Sequence, residues 1–262
     1  MLKRELKINR RGFLIWTSII VAMFIVVFLI YPSIMESDKD IMELLGAFPK
    51  ELLELFNMDV ISIGTVFGWI STEGYMMITI MGGCYFAIMG STILLKEEDE
   101  GTISFLYTKP ISRNQILTSK LWCGIIYVIL FNLVIALTTL IGLSLSDGFK
   151  FTDWLLISIA PIFLHLFFFT FTLLLSIYYK KTRKCMTIGI GIVIGTYILQ
   201  ILSAMSDKLE FLKYFSPFEY INARDIILNH QLNYSNIIIL VVMMIIILIG
   251  LYDAYNKKEL NA

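Results

Sequence analysis

The chain has 262 residues, 58% of them hydrophobic, and its mean hydropathy is +0.79. A soluble domain carries about 45–50% apolar residues, so this composition excludes an ordinary water-soluble fold. Basic and acidic residues are equal at 21 each, so there is no excess of positive charge that would favour binding to nucleic acid.

Six apolar stretches reach or approach the length needed to cross a membrane. A bilayer core about 30 Å thick needs roughly 20 apolar helical residues, because backbone polar groups must be satisfied inside the segment. The sequence therefore predicts an all-α integral membrane bundle of six transmembrane helices, forming one domain over residues 1–262. The predicted spans are 13–31, 75–95, 121–145, 154–179, 185–205 and 237–252.

Basic residues lie mainly on one side of these spans. Fifteen of the 21 Lys and Arg residues fall in the N-terminal segment, the second and fourth loops and the C-terminal segment. Positively charged loops stay in the cytoplasm, so both termini are expected there, in a multi-pass protein of the plasma membrane. Residues 1–11 fit either a short helix lying on the inner leaflet or a plain basic tail.

Two segments on the predicted outer side are too apolar to be simple turns. Residues 37–62 alternate apolar and acidic side chains with a helical period, which predicts amphipathic helices on the membrane surface. Residues 206–235 carry many aromatic and aliphatic side chains, divided at Ser216 and Pro217. This second segment fits either half-helices that re-enter the bilayer or a small packed extracellular cap.

The loop between the second and third spans, residues 96–113, contains four consecutive acids directly after Lys96. Acidic side chains oppose the dipole at the end of a preceding helix and favour the start of a following one. Gly101 is therefore predicted to break the chain before a short helix over 102–107, which Pro110 ends. Ser112 and Gln115 form a capping-box pattern that opens the third span. The acids are Glu97, Glu98, Asp99 and Glu100.

This predicted helix would present a compact apolar surface that could insert into a groove on a partner protein. Its apolar side chains are Ile103, Phe105, Leu106 and Tyr107. The alternative is a solvated charged loop that only sets the topology, because runs of charge are usually solvated.

No catalytic or metal-binding pattern occurs in the sequence. There is no Walker A loop, no H-E-x-x-H and no C-x-x-C motif, so neither ATP hydrolysis nor a metal site is expected in this chain. The cysteines lie within or beside apolar runs and are interpreted as packing residues. They are Cys84, Cys123 and Cys185.

Few strongly polar side chains fall within the predicted spans. His165, Asn132 and Gln200 could line a translocation path, although hydrogen bonding between helices is the default interpretation. Within these span boundaries His165 is the sole ionisable side chain apart from tyrosine and cysteine. Ion-coupled carriers usually need ionisable groups at mid-membrane depth, so energy is expected to enter from outside the membrane region.

Over its whole length the chain resembles the bacterial type-2 ABC exporter permeases. The strongest similarity is the run from Glu97 to Thr102 followed by 109–113 and Lys120, an acidic-Gly-Thr then Pro-Ile-Ser-Arg pattern. The segment Phe215-Ser216-Pro217-Phe218 before the last span adds weaker support.

The resemblance implies a permease that exports a peptide, drug or lipid-like substrate, with a separate ATP-binding cassette subunit that holds ATP and Mg²⁺. It further implies a second permease copy or paralogue, and a coupling helix within 96–113 that transmits ATP-driven closure. The coupling residues would be Glu97, Glu98, Asp99, Glu100, Gly101, Thr102, Phe105, Leu106, Pro110 and Arg113. An ion-coupled secondary transporter, a membrane enzyme and a non-transporting membrane sensor are the competing hypotheses.

Overall fold

The computed structural model describes residues 1–35, 65–102, 112–145 and 149–258. Helices account for most of these residues, and no strand occurs among them. Within these ranges, six helices are long and apolar enough to cross a membrane. They are α1 (Leu2–Met35), α2 (Val66–Ile93), α4 (Arg113–Ser144), α5 (Phe151–Ser176), α6 (Thr182–Met205) and α8 (Tyr234–Lys257). Two shorter helices are α3 (Lys96–Asp99) and α7 (Ala223–Asn229).

The all-α bundle of six spans is confirmed, but the helices extend beyond the predicted boundaries. Helix α1 runs without a break from Leu2, so residues 1–11 form neither a separate surface helix nor an unstructured tail. Helix α4 begins at Arg113, eight residues before the predicted third span, because the Ser112–Gln115 capping box forms as expected. The sequence boundaries followed apolar content, whereas the helices also include polar residues at their ends.

Helices α2 and α5 form the centre of the bundle and share its most extensive helix–helix contact. In their most apolar stretches 61% and 56% of the residues are buried, against 17% in α1, α6 and α8. Close approach depends on Gly90, because a Cβ there would collide with Thr172 Oγ1 and the Phe169 carbonyl. The outer helices expose many large apolar side chains, as expected of surfaces that face lipid or another membrane subunit.

The start of α1 and the end of α8 lie at the same end of the bundle, which we call the termini-proximal end. There Arg113 Nη1, at the start of α4, donates hydrogen bonds to the carbonyls of Asn256 and Lys258 at the end of α8. The Tyr127 hydroxyl of α4 donates to the carbonyl of Leu6 in α1. Helix α3 lies at this end too, directly after α2.

The segment between α6 and α8 covers the opposite end. It forms 3₁₀ turns at Asp207–Phe215 and Glu219–Ile221, followed by α7. Phe218, Ile221 and Ile226 are buried against the bundle, and the Tyr75 hydroxyl donates a 2.6 Å hydrogen bond to the Ile221 carbonyl. Short helical pieces fit both sequence interpretations. The bundle covers Phe218, Ile221 and Ile226, whereas Phe211, Tyr214 and Phe215 are exposed. The predicted helices at 37–62 lie outside the described residues.

Candidate functional site

The acidic run forms a compact turn at the termini-proximal end, immediately after α2. Helix α3 ends in a Schellman motif: the Thr102 N–H donates to the Glu97 carbonyl at 2.9 Å, and the Gly101 N–H donates to the Glu98 carbonyl at 3.2 Å. Gly101 has φ +67°, the left-handed conformation that glycine adopts without steric cost. The predicted break at Gly101 is therefore confirmed, but the acids form α3 itself instead of the start of a later helix.

The carboxylate of Glu97 points into the bundle and binds a buried lysine. Lys120 Nζ lies 2.8 and 2.9 Å from the two carboxylate oxygens of Glu97 and also donates to the Ile93 carbonyl. The Glu5 carboxylate of α1 is 3.6 Å from the same Nζ. The side chains of all three charged residues are almost completely buried, so this cluster connects α1, α3 and α4 without much solvent screening.

The next acid, Glu98, binds the end of the last span. Lys258 Nζ lies 2.7 Å from both carboxylate oxygens of Glu98, and each side chain is less than one-fifth exposed. Since Arg113 donates to the Lys258 carbonyl at 2.9 Å, α3 and the start of α4 both hold the same residue. The end of α8 is thus bound by Glu98, which precedes the segment 103–111, and by Arg113, which follows it.

The third acid, Asp99, caps the start of α6. Its Oδ2 accepts the Thr182 N–H at 3.0 Å and the Thr182 hydroxyl, and its Oδ1 lies 2.9 Å from Lys181 Nζ. A carboxylate at a helix N-terminus binds backbone N–H groups that have no partner within the helix. These hydrogen bonds, followed by the charge of Lys181, lower the pKa of Asp99 to about 2.

Three consecutive carboxylates therefore contact three different spans, with Glu97 facing α4, Glu98 facing α8 and Asp99 facing α6. A displacement of α3 would act on α4, α8 and α6 together, which is the arrangement expected of a mechanical connection. Glu100, Gly101 and Thr102 are exposed. Phe105, Leu106 and Pro110 lie outside the described residues, as does the helix predicted over 102–107 except for Thr102, which is not helical.

Sequence reasoning missed the partners of these acids. Glu5 and Lys120 lie within helices, so the spans carry more ionisable side chains than the predicted boundaries allowed, and Lys120 belongs to no loop. Glu73 likewise falls inside α2, on its π-helical turn Ile70–Gly74. The capping box at Ser112 was a usable signal, because a helix that starts at Arg113 places Lys120 two turns inside it.

His165 and Asn132 lie together in the middle of the bundle. Asn132 Nδ2 is 3.0 Å from His165 Nδ1, and His165 Nε2 is 3.2 Å from the Ile78 carbonyl. The Asn132 amide also donates to the Val128 carbonyl at 2.8 Å. Both ring nitrogens of His165 are thus hydrogen-bonded, and the pair connects α2, α4 and α5.

Gln200 lies apart from these two residues, beside a cavity at the opposite end. The cavity has a volume of about 230 Å³ and lies between α2, α6 and the 3₁₀ turns. Gln200 Nε2 donates to Glu219 Oε2 at 3.2 Å, and Asn222 Nδ2 reaches the same oxygen at 3.5 Å. Burial raises the pKa of Glu219, because a desolvated carboxylate loses the hydration that stabilises its charge.

Comparison with known proteins places this arrangement in a family. The family model described as ABC-2 family transporter protein matches residues 2–260, nearly the whole chain. No curated protein matches the sequence. Together with the six-span bundle, the family match identifies the chain as a member of the ABC-2 transporter family, a multi-pass membrane permease subunit of an ABC transporter.

Proposed function

We propose that this permease exports a peptide, drug or lipid-like substrate from a bacterial cell, driven by ATP hydrolysis in a separate ATP-binding cassette subunit. That subunit would bind ATP and Mg²⁺, while this chain supplies half of the translocation path beside a second copy or a paralogue. The termini-proximal end would face the cytoplasm of the plasma membrane, because most basic residues of the sequence belong to this end.

The observation that carries the proposal is the contact of Glu97, Glu98 and Asp99 with three different spans. The segment 96–113 would dock on the ATP-binding subunit. Its two attached ends, α3 and Arg113, would transmit a movement to the membrane helices. Exposed Glu100, Gly101 and Thr102 stand where the docked segment begins.

The opposite-end cavity beside Gln200 is our candidate for part of the translocation path. Its lining combines carboxylate, amide and hydroxyl groups with aromatic side chains, and ligand sites commonly have such mixed surfaces. His165 and Asn132 would act differently: their hydrogen bonds within the bundle suit them to holding three spans in register.

The first experiment asks whether an ATPase accompanies the permease. The full chain, purified in mild detergent, should retain a subunit that carries a Walker A loop, and the complex should hydrolyse ATP. Inverted membrane vesicles should then accumulate a labelled peptide, drug or lipid probe only when ATP is supplied. Uptake that survives ATP depletion and collapses with the proton gradient would instead favour an ion-coupled carrier.

A second experiment tests the coupling role through matched substitutions. Glu98→Gln removes the charge that binds Lys258, whereas Asp253→Asn removes an exposed charge that pairs with Lys257 within α8. Glu98→Gln should leave the ATP-binding subunit bound but reduce the amount of probe transported per ATP hydrolysed. Asp253→Asn should leave this ratio unchanged, and equal ratios for both variants would contradict the coupling role.

A further inference from the structure

A groove with a volume of about 120 Å³ lies beside the acidic turn, between the start of α1 and the end of α2. Its floor contains the buried side chains of Glu5, Ile93 and Glu97. Its rim is exposed and polar apart from Ile8. The exposed rim residues are Arg4, Ile8, Lys96, Glu100 and Thr102.

The floor of this groove holds two carboxylates, and a single buried cation, Lys120, lies against them in the described part of the chain. Lys120 lies within hydrogen-bond distance of both oxygens of Glu97, and its nearest approach to Glu5 is 3.6 Å. Glu5 is 2% exposed, and its Oε1 has no hydrogen-bond partner among the described residues. A buried carboxylate oxygen without a donor is costly, so one more positively charged donor at this carboxylate would stabilise it.

Neither cation on the rim, Lys96 or Arg4, donates a hydrogen bond to Glu5 Oε1. Lys96 pairs with Glu100 at 3.9 Å, and both side chains are about half exposed. Arg4 is exposed, and it donates no hydrogen bond to Glu5 Oε1. Glu5 therefore faces a groove whose occupant should enter from outside the described part of the chain.

We propose that the groove receives a lysine or arginine side chain of the ATP-binding subunit, whose cation donates to Glu5 Oε1. This inference rests on the proposed function and identifies the partner's chemistry. An extended basic side chain suits the site, because its aliphatic part can pass Ile8 while its charge reaches the carboxylates. Glu100 and Thr102 lie on the same rim and belong to the coupling segment 96–113, so a subunit docked on that segment would stand beside the groove.

The contact between Glu5 and the partner's cation would connect α1 directly to the ATP-binding subunit. Because Glu5 is on α1 and shares Lys120 with Glu97, an inserted cation would complete a cluster that joins α1, α3, α4 and the partner. Glu5 is thus a positioning residue whose charge is balanced in the assembled transporter.

The test measures binding of the isolated ATP-binding subunit, first identified by co-purification, to the full-length permease in detergent. Truncating one member of a buried charge pair across an interface weakens binding strongly, so Glu5→Gln should raise Kd by roughly 30-fold. Asp253→Asn is the matched control, since this carboxylate is exposed on α8 and does not line the groove, so Kd should change by less than about 3-fold.

Two further measurements show whether Glu5 acts through the partner subunit or only within this chain. The Tm of the Glu5→Gln permease alone should be equal to or higher than that of the wild type, because the substitution removes one of two buried negative charges that share the single cation of Lys120. A lower Tm, or an unchanged Kd, would overturn the inference. A Lys109→Ala variant that reproduces the loss of binding, with no added effect in the double variant, would also overturn it by assigning the groove to the chain's own lysine.

Failure of the inference can be told apart from failure of the proposed function. If the wild-type permease binds no ATP-binding subunit, the proposed function fails. If it binds that subunit and Glu5→Gln binds equally well, the inference about the groove alone fails.

Discussion

The acidic turn of α3 and the cavity beside Gln200 are both polar, but their charges are partnered differently. Glu97, Glu98 and Asp99 each bind a lysine from another helix or its flanking residue. Glu219, in contrast, accepts hydrogen bonds from the side-chain amides of Gln200 and Asn222, next to a cavity of about 230 Å³. The paired opposite charges hold neighbouring helices together, whereas the hydrogen-bonded carboxylate of Glu219 borders a cavity that has space for a ligand.

The largest effect on stability is expected at Lys120. Lys120→Ala would leave Glu97 and Glu5 buried without their cation, and breaking a buried pair in this way costs about 3–5 kcal/mol. Lys96→Ala, at an exposed pair with Glu100, should cost about 0.3–0.5 kcal/mol. Unfolding of both variants in detergent measures the difference. Similar losses would show that the buried cluster is no stronger than a surface pair.

A smaller effect is expected for the pair between Glu98 and Lys258. Since both side chains are mostly buried, a double-mutant cycle with Glu98→Gln and Lys258→Met should give a coupling energy of roughly 1 kcal/mol. The neighbouring pair of Asp253 and Lys257 has the same 2.7 Å distance but is exposed, so its coupling should be about 0.3–0.5 kcal/mol. Equal coupling energies would remove the distinction between a connection from α3 to α8 and an ordinary surface pair.

The parts of this molecule that sequence reasoning could predict are those specified locally. Apolar stretches specified the six spans, the Ser112–Gln115 pattern specified the start of α4, and Gly101 specified the break after α3. In each case neighbouring residues determine the conformation, through burial in lipid, capping or backbone freedom.

The partners of the acids could not be predicted in the same way, because they are distant in the sequence. Lys120 is 23 residues from Glu97, and Lys258 is 160 residues from Glu98. A hydropathy pattern also ends a predicted span at each lysine, although Lys120 is buried inside α4 beside two carboxylates. Only the packing of the helices brings these charges together.

The contribution of Asp99 to stability depends on pH. Its pKa is about 2 in the folded protein and about 3.9 in an unfolded chain, so the ionised carboxylate stabilises the fold. This contribution is complete above about pH 5 and is lost as the pH falls through 3.9 towards 2. Asp99→Asn should therefore have a lower Tm than the wild type at pH 7.

The difference in Tm between wild type and Asp99→Asn should become smaller as unfolding is measured at successively lower pH. As a control, Asp253→Asn removes an exposed carboxylate of α8 at the same end of the bundle. A gap between wild type and Asp99→Asn that stayed constant down to pH 2 would contradict the hydrogen-bonded role of this carboxylate.

The smallest effect on stability is expected at Glu219, where the sign should reverse. Burial raises its pKa, so the ionised side chain opposes folding at neutral pH, and this penalty disappears as the pH falls below the unfolded value of about 4.3. Glu219→Gln keeps an oxygen that can accept from Gln200, so its Tm at pH 7 should equal or exceed that of the wild type. Vesicle uptake should nevertheless change if this cavity lies on the translocation path. A lower Tm with unchanged uptake would instead make Glu219 a stabilising residue, and the two polar regions would then differ less than their geometry indicates.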